Sequence, residues 1–204
     1  VTVEVGAILL AGGRASRVGG AAKPLFEVGG MTLLARAVAA VAAAGAAPIT
    51  IVGEVQPVSG DVDWVREEPP FGGPAAATVA ALTEWAARGG GPEWMFLLAC
   101  DLPRADAVVA RLRDDVPVLP DDSDGLCLAD ESGRPQWLSG LYRTSAVRSA
   151  ASMLPDAGRD APARALFHDL QLAVVRAAPG VVEDIDTWED LTRARARAAD
   201  EEES

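Results

Sequence analysis

Apolar residues fall in short dense runs through the first half of the chain and in sparser, periodic spacings afterwards. Residues 5–10 read VGAILL and run straight into glycines, the pattern of a strand buried on both faces of a parallel sheet. Apolar residues at helical spacing predict a long helix over 32–44, with Thr32 as its N-cap and Gly45 as its stop. Residues 49–52 and 62–65 predict two further strands, and the loop REEPPFGGP leads into a helix over 75–88. The most hydrophobic strand is WMFLLAC, 94–100, which stops abruptly at Asp101-Leu102-Pro103 before a helix over 105–113. Strands alternating with helices in this way predict right-handed crossovers and a parallel sheet covered on both faces.

The pattern then changes. Residues 125–129 and 136–142 flank the turn-like DESGRP and predict an antiparallel pair. Helices are expected over 146–153 and 162–169, strands over 172–175 and 181–183, and a last helix over 187–199. The expected architecture is therefore a three-layer α/β/α, Rossmann-like domain over 1–199, mostly parallel with an antiparallel section in its C-terminal half, followed by an acidic tail over 200–204. No internal repeat or linker interrupts it.

Composition narrows the function. Half of the residues are hydrophobic, enough for a sizeable core. A net charge of -12 argues against a nucleic-acid or anionic-membrane partner, both of which call for a positive field. The apolar run 37–47 is shorter than the ~18 residues of a membrane helix. Cys100 and Cys127 are too few for a disulfide framework or a zinc site, and no secretory leader pattern opens the sequence, so a cytoplasmic location is expected.

Against this acidic background residues 1–36 carry Arg14, Arg17, Lys23 and Arg36 opposite only Glu4 and Glu27, and Lys23 is the one lysine among 18 basic residues. Three of these cations lie in LAGGRASRVGGAAKP, 10–24, directly after the first strand. Glycines there let backbone N–H groups approach phosphate oxygens, and ligands bind at the carboxyl ends of parallel strands. The spacing matches neither the Walker pattern nor the dinucleotide fingerprint, because Lys23 stands between Ala22 and Pro24 and five residues separate Gly13 from Gly19. The residues alone leave two readings, a phosphate-binding loop and a charged surface loop.

The string 10–24 resembles the signature of the nucleotidyltransferases that activate sugars, isoprenoid precursors and molybdenum cofactor, most closely the molybdenum-cofactor guanylyltransferases. The resemblance implies that Leu10, Ala11, Gly12 and Gly13 start the nucleotide site, while Arg17, Gly20 and Lys23 hold phosphates. It extends to the loop around Glu68 and Gly73, which would border the base, to Asp101 as a magnesium ligand, and to the closing motif DIDTWED with Asp186 as a second ligand. Arg17, Lys23 and Asp101 are the implied catalytic residues.

Gly53 and Glu68 depart from the family, where Asn and Asp are usual, as do Asp184 and Asp186, where Asn is common. The implied reaction moves GMP from magnesium GTP to molybdopterin, with transient contact to molybdoenzymes or cofactor-handling proteins. Use of another nucleotide such as CTP, another phosphate acceptor, or a non-catalytic nucleotide-binding homologue are the alternatives.

Such a reaction needs no protein nucleophile, since the acceptor phosphate is already ionised near neutrality, and the chain has a single histidine, His168. Other readings stay open for several residues. Asp101 suits a metal ligand or a cap of the following helix, Asp186 a ligand or a helix N-terminal acid, and Trp137 and Tyr142 an acceptor pocket or core packing.

Overall fold

The computed structural model describes residues 4–13 and 22–202. Strand β1 (Val5–Leu10) is buried along almost its whole length because both of its neighbours are parallel strands, β4 (Ile49–Val52) on one side and β6 (Trp94–Ala99) on the other. A short hairpin of β2 (Glu27–Val28) and β3 (Met31–Thr32), turned by Gly29 and Gly30 at positive φ, feeds helix α1 (Leu33–Ala43). The Thr32 hydroxyl accepts the Ala35 N–H and caps that helix as its sequence predicts. Strand β5 (Asp63–Val65) pairs beyond β4 and is followed by α2 (Gly73–Ala87), while α3 (Ala105–Asp115) follows β6.

The C-terminal half supplies the antiparallel part. Strand β7 (Gly125–Ala129) pairs with β8 (Pro135–Arg143), which also runs antiparallel beside β6, and β9 (Leu172–Arg176) closes the edge parallel to β7. The seven-stranded order is β5-β4-β1-β6-β8-β7-β9. Helix α4 (Thr144–Ser152) lies between β8 and β9 in the chain, and α5 (Trp188–Glu202) follows β9, running on into the segment expected to be an acidic tail.

Alternate side chains of the central strands feed two apolar layers, as a pleat with period two requires. Ala7, Leu9, Phe96 and Leu98 face α1 and α3, whereas Ile8, Met95 and Leu97 face α2 and α4. In the second layer the Trp85 indole N–H donates to the Thr50 hydroxyl at 2.7 Å, so a buried polar pair fastens α2 to β4.

Two expected elements differ. Residues 181–183 form a bend, not a strand: the Val181 N–H is used in a turn to the Ala178 carbonyl, and Gly180 at φ 77 breaks the extended backbone. Only Ala163–Leu166 is helical within 162–169, as a 3-10 turn whose bonds span three residues, Ala165 N–H to Pro162 and Phe167 N–H to Arg164.

Candidate active site

The carboxyl ends of β1, β4 and β6 lie side by side, and a cleft of about 850 Å³ opens above them. Backbone bonds fix its floor: the Ala11 N–H donates to Val52 O at 2.9 Å and the Cys100 N–H to Leu10 O at 3.0 Å. Leu10, Ala11, Gly12, Gly13, Lys23 and Asp101 all line this one cleft. Arg17 and Gly20 lie outside the described residues.

Gly53 lies against the same floor with φ 152, and a Cβ there would stand 3.2 Å from both Ala11 C and Gly12 N. A side chain at this position would press on the glycine strand-end and would sit on a backbone conformation that glycine favours.

Lys23 opens a 3-10 turn, Lys23–Leu25, and its side chain is only 15 % exposed. Its Nζ lies 2.5 Å from Asp186 Oδ1, joining the end of the glycine loop to the closing motif. Asp101, Asp184 and Asp186 each place a carboxylate oxygen within 4.8 Å of the other two. The Ile185 N–H donates to Asp101 O at 3.0 Å, which docks the closing segment on the end of β6. Its neighbours Asp184 and Asp186 thereby join Asp101, while Ile185, 1 % exposed, packs with Val28, Leu33 and Leu191.

Burial and the nearby Asp184 charge push the Asp101 carboxyl up to about 6, against an opposing pull from Lys23. Asp184, though exposed as a residue, is also raised, by partial desolvation of its carboxyl and by the Asp186 charge. Asp101 Oδ1 is buried without a hydrogen-bond partner among the described residues. Three converging carboxylates, one of them with an unsatisfied oxygen, suit a divalent cation such as magnesium.

Other residues stand at the two helix starts. Helix α3 starts at Ala105 with Arg104 at its cap position, so Asp101 does not cap it. At α5 the capping belongs to Thr187 and Asp190, whose side chains reciprocally bond each other's backbone N–H at 3.2 and 2.7 Å. Asp190 Oδ2 also accepts the Asp186 N–H at 3.1 Å and fixes its backbone.

Glu68 is exposed and does not line the cleft, nor does Gly73, which begins α2 at φ 91. Glu67, Arg66 and Phe71 line it instead. Glu67 Oε1 accepts the Phe71 N–H at 3.0 Å, and Phe71 stands half-exposed at the rim in the left-handed backbone region, φ 67. Asp184, Arg66, Glu67 and Phe71 are among the residues that sequence reading passes over as site candidates; the available signal for Asp184 was its place two residues before Asp186.

Tyr142 is fully buried and donates its hydroxyl to Trp137 O at 2.8 Å, and the rings of Tyr142 and Trp137 both stack with Phe167, centroids at 4.5 and 5.5 Å. This is core packing. His168 is exposed beside Asp169. Both cysteines are buried, and burial raises their thiols, that of Cys127 to about 11.

A doubly covered sheet thus carries, at the carboxyl ends of its central strands, a glycine-lined cleft, one part-buried lysine and a carboxylate cluster, and the family match makes the chain a nucleotidyltransferase. The chain belongs to the MobA-like NTP transferase domain family, whose profile matches residues 7–174. A curated relative from Synechococcus elongatus, named "Probable molybdenum cofactor guanylyltransferase", is 34% identical over 164 residues, 76% of this chain and 79% of its own length. A molybdenum cofactor guanylyltransferase of Rhodopseudomonas palustris is 38% identical over 146 residues, 67% of this chain and 65% of its own. Among solved structures, a nucleotidyl transferase from a Methanothermobacter shares the fold with a TM-score of 0.70 at 21% identity, over 97% of this chain and 99% of that one. The 2-C-methyl-D-erythritol 4-phosphate cytidylyltransferase of Thermus thermophilus gives 0.61 at 18% identity, over 97% and 100%.

Proposed function

We propose that this enzyme transfers GMP from magnesium GTP to the terminal phosphate of molybdopterin, releasing pyrophosphate and forming the guanine dinucleotide cofactor. The observation that carries the reading is the convergence of Asp184 and Asp186 on Asp101 and Lys23, the acid and the cation that line the glycine-lined cleft. The names of the guanylyltransferase relatives support the base and the acceptor.

An acceptor phosphate oxygen forms a bond to the α-phosphorus of the nucleotide, and the bond to the β-bridging oxygen breaks. The work left to the protein is alignment of two anions and stabilisation of charge on the leaving group. The backbone of 11–13 gives the nucleotide a floor without side chains to obstruct it, and Lys23 supplies a compact positive charge beside the phosphates. Asp101, Asp184 and Asp186 would hold magnesium, which when bound offsets phosphate charge and orients the reacting oxygens.

Calorimetric titration of GTP, CTP, ATP and UTP with magnesium, followed by pyrophosphate release with molybdopterin, tests the reading. Selective GTP binding and acceptor-dependent release are expected. Preference for CTP would replace the base, and nucleotide binding without release would make the chain a binding homologue.

A further inference from the structure

Lys23 and Asp186 stand 163 positions apart in sequence yet meet at 2.5 Å. An ion pair in which one partner is 38 % exposed holds its geometry weakly by itself. The same two segments are joined again a few residues on. The ring of Phe26 packs on the indole of Trp188, centroids 5.1 Å apart at 33°. Arg195 Nε donates to Glu27 O at 2.9 Å, and Val28 packs with Ile185 and Leu191.

Trp188 is the first residue of α5 and remains 55% exposed, so core burial does not account for a side chain of this size. Its ring contact is with Phe26, and both residues are coupled through backbone to the site. The Phe26 N–H donates to Lys23 O and closes the turn that begins with the lysine. Trp188 follows Thr187, whose N–H shares the Asp190 carboxylate oxygen with the N–H of Asp186.

We propose that Phe26 and Trp188 form an aromatic clasp, a pair of positioning residues that holds Lys23 Nζ and the Asp186 carboxylate in register. The roles of Lys23 and Asp186 rest on the function proposed above; the clasp itself rests on the packing. Flat rings suit the task, since they give a large contact area with few torsions to freeze. One half of the clasp and two of the three clustered carboxylates lie beyond residue 174, where the family profile ends. The closing segment and the helix it leads into thus complete the site together.

The test uses the full chain and variants Trp188→Ala, Trp188→Phe and Phe26→Leu, read by Mn2+ calorimetry and by amide hydrogen exchange over 22–28 and 185–187. Trp188→Ala is expected to weaken Mn2+ binding about tenfold, the upper range of an aromatic pair, and to speed exchange in both segments while the central strands keep their protection. Trp188→Phe should restore most of both, and Phe26→Leu should reproduce the loss from the other side, with no further loss when the two are combined. Unchanged exchange in both segments in Trp188→Ala and Phe26→Leu overturns the clasp, as does a Trp188→Phe variant no better than alanine. Exchange is read without nucleotide, so the clasp stands or falls independently of the proposed base and acceptor.

Discussion

Lys23 illustrates how far a single residue can be read. Its rarity and its glycine-rich setting single it out in the sequence, but its contact with Asp186 comes from the other end of the chain. Lys23→Ala is expected to lower turnover at least about tenfold with little change in melting temperature, checked by steady-state pyrophosphate release. Near-normal turnover would remove it from the phosphate site. Gly53 makes the opposite case, because in the fold its missing side chain faces the backbone of Ala11 and Gly12. Gly53→Asn should destabilise the fold by about 1–3 kcal/mol and weaken nucleotide binding, since its Cβ would press on Ala11 and Gly12; denaturant melts and calorimetry check both. Stability within about 0.5 kcal/mol of the parent would show that the floor yields easily.

At the scale of elements, packing between helix and strand decides what the local pattern leaves undetermined. Trp85 is 2 % exposed and its indole N–H bonds the fully buried Thr50 hydroxyl. Trp85→Phe should therefore cost about 1–3 kcal/mol, for a lost bond and a hydroxyl left unpaired, whereas the double variant Trp85→Phe/Thr50→Val should recover part of it. No recovery in urea melts would mean that cavity formation outweighs the bond. The strands of 5–10, 49–52 and 94–100 and the helices between them are legible in sequence because apolar runs, Thr32 and Gly45 mark them directly. The bend at 181–183 was not, because Val181 and Val182 have strand-like side chains whose backbone is captured by a turn.

The whole molecule sets the electrostatics of the site. Asp101 is raised to about 6 by burial and by Asp184, above its unfolded value of 3.8. Its favourable contribution to folding is present below the unfolded value and is lost as pH rises through about 6, a change of roughly 3 kcal/mol by linkage. Metal-chelated protein should therefore melt lower at about pH 7.5 than at about pH 5, and magnesium should raise the melting temperature at the higher pH far more than at the lower. Asp101→Asn should flatten the pH dependence and abolish most of the magnesium effect. A wild-type melting curve indifferent to magnesium at both pH values would count against a metal at this cluster.

The sequence by itself determined the layered α/β order, the antiparallel turn in the second half, the glycine-rich strand-end and the choice of Lys23 and Asp101 as site candidates, because each is carried by neighbours within one run of chain. Tertiary structure alone decided that Asp184 joins Asp101 and Asp186, that Glu67 and Phe71 line the cleft while Glu68 does not, and that Trp188 meets Phe26. Those relations depend on how the closing segment docks on the end of β6 and how the 66–73 loop turns. Such contacts between distant parts of the chain leave no local periodicity to read.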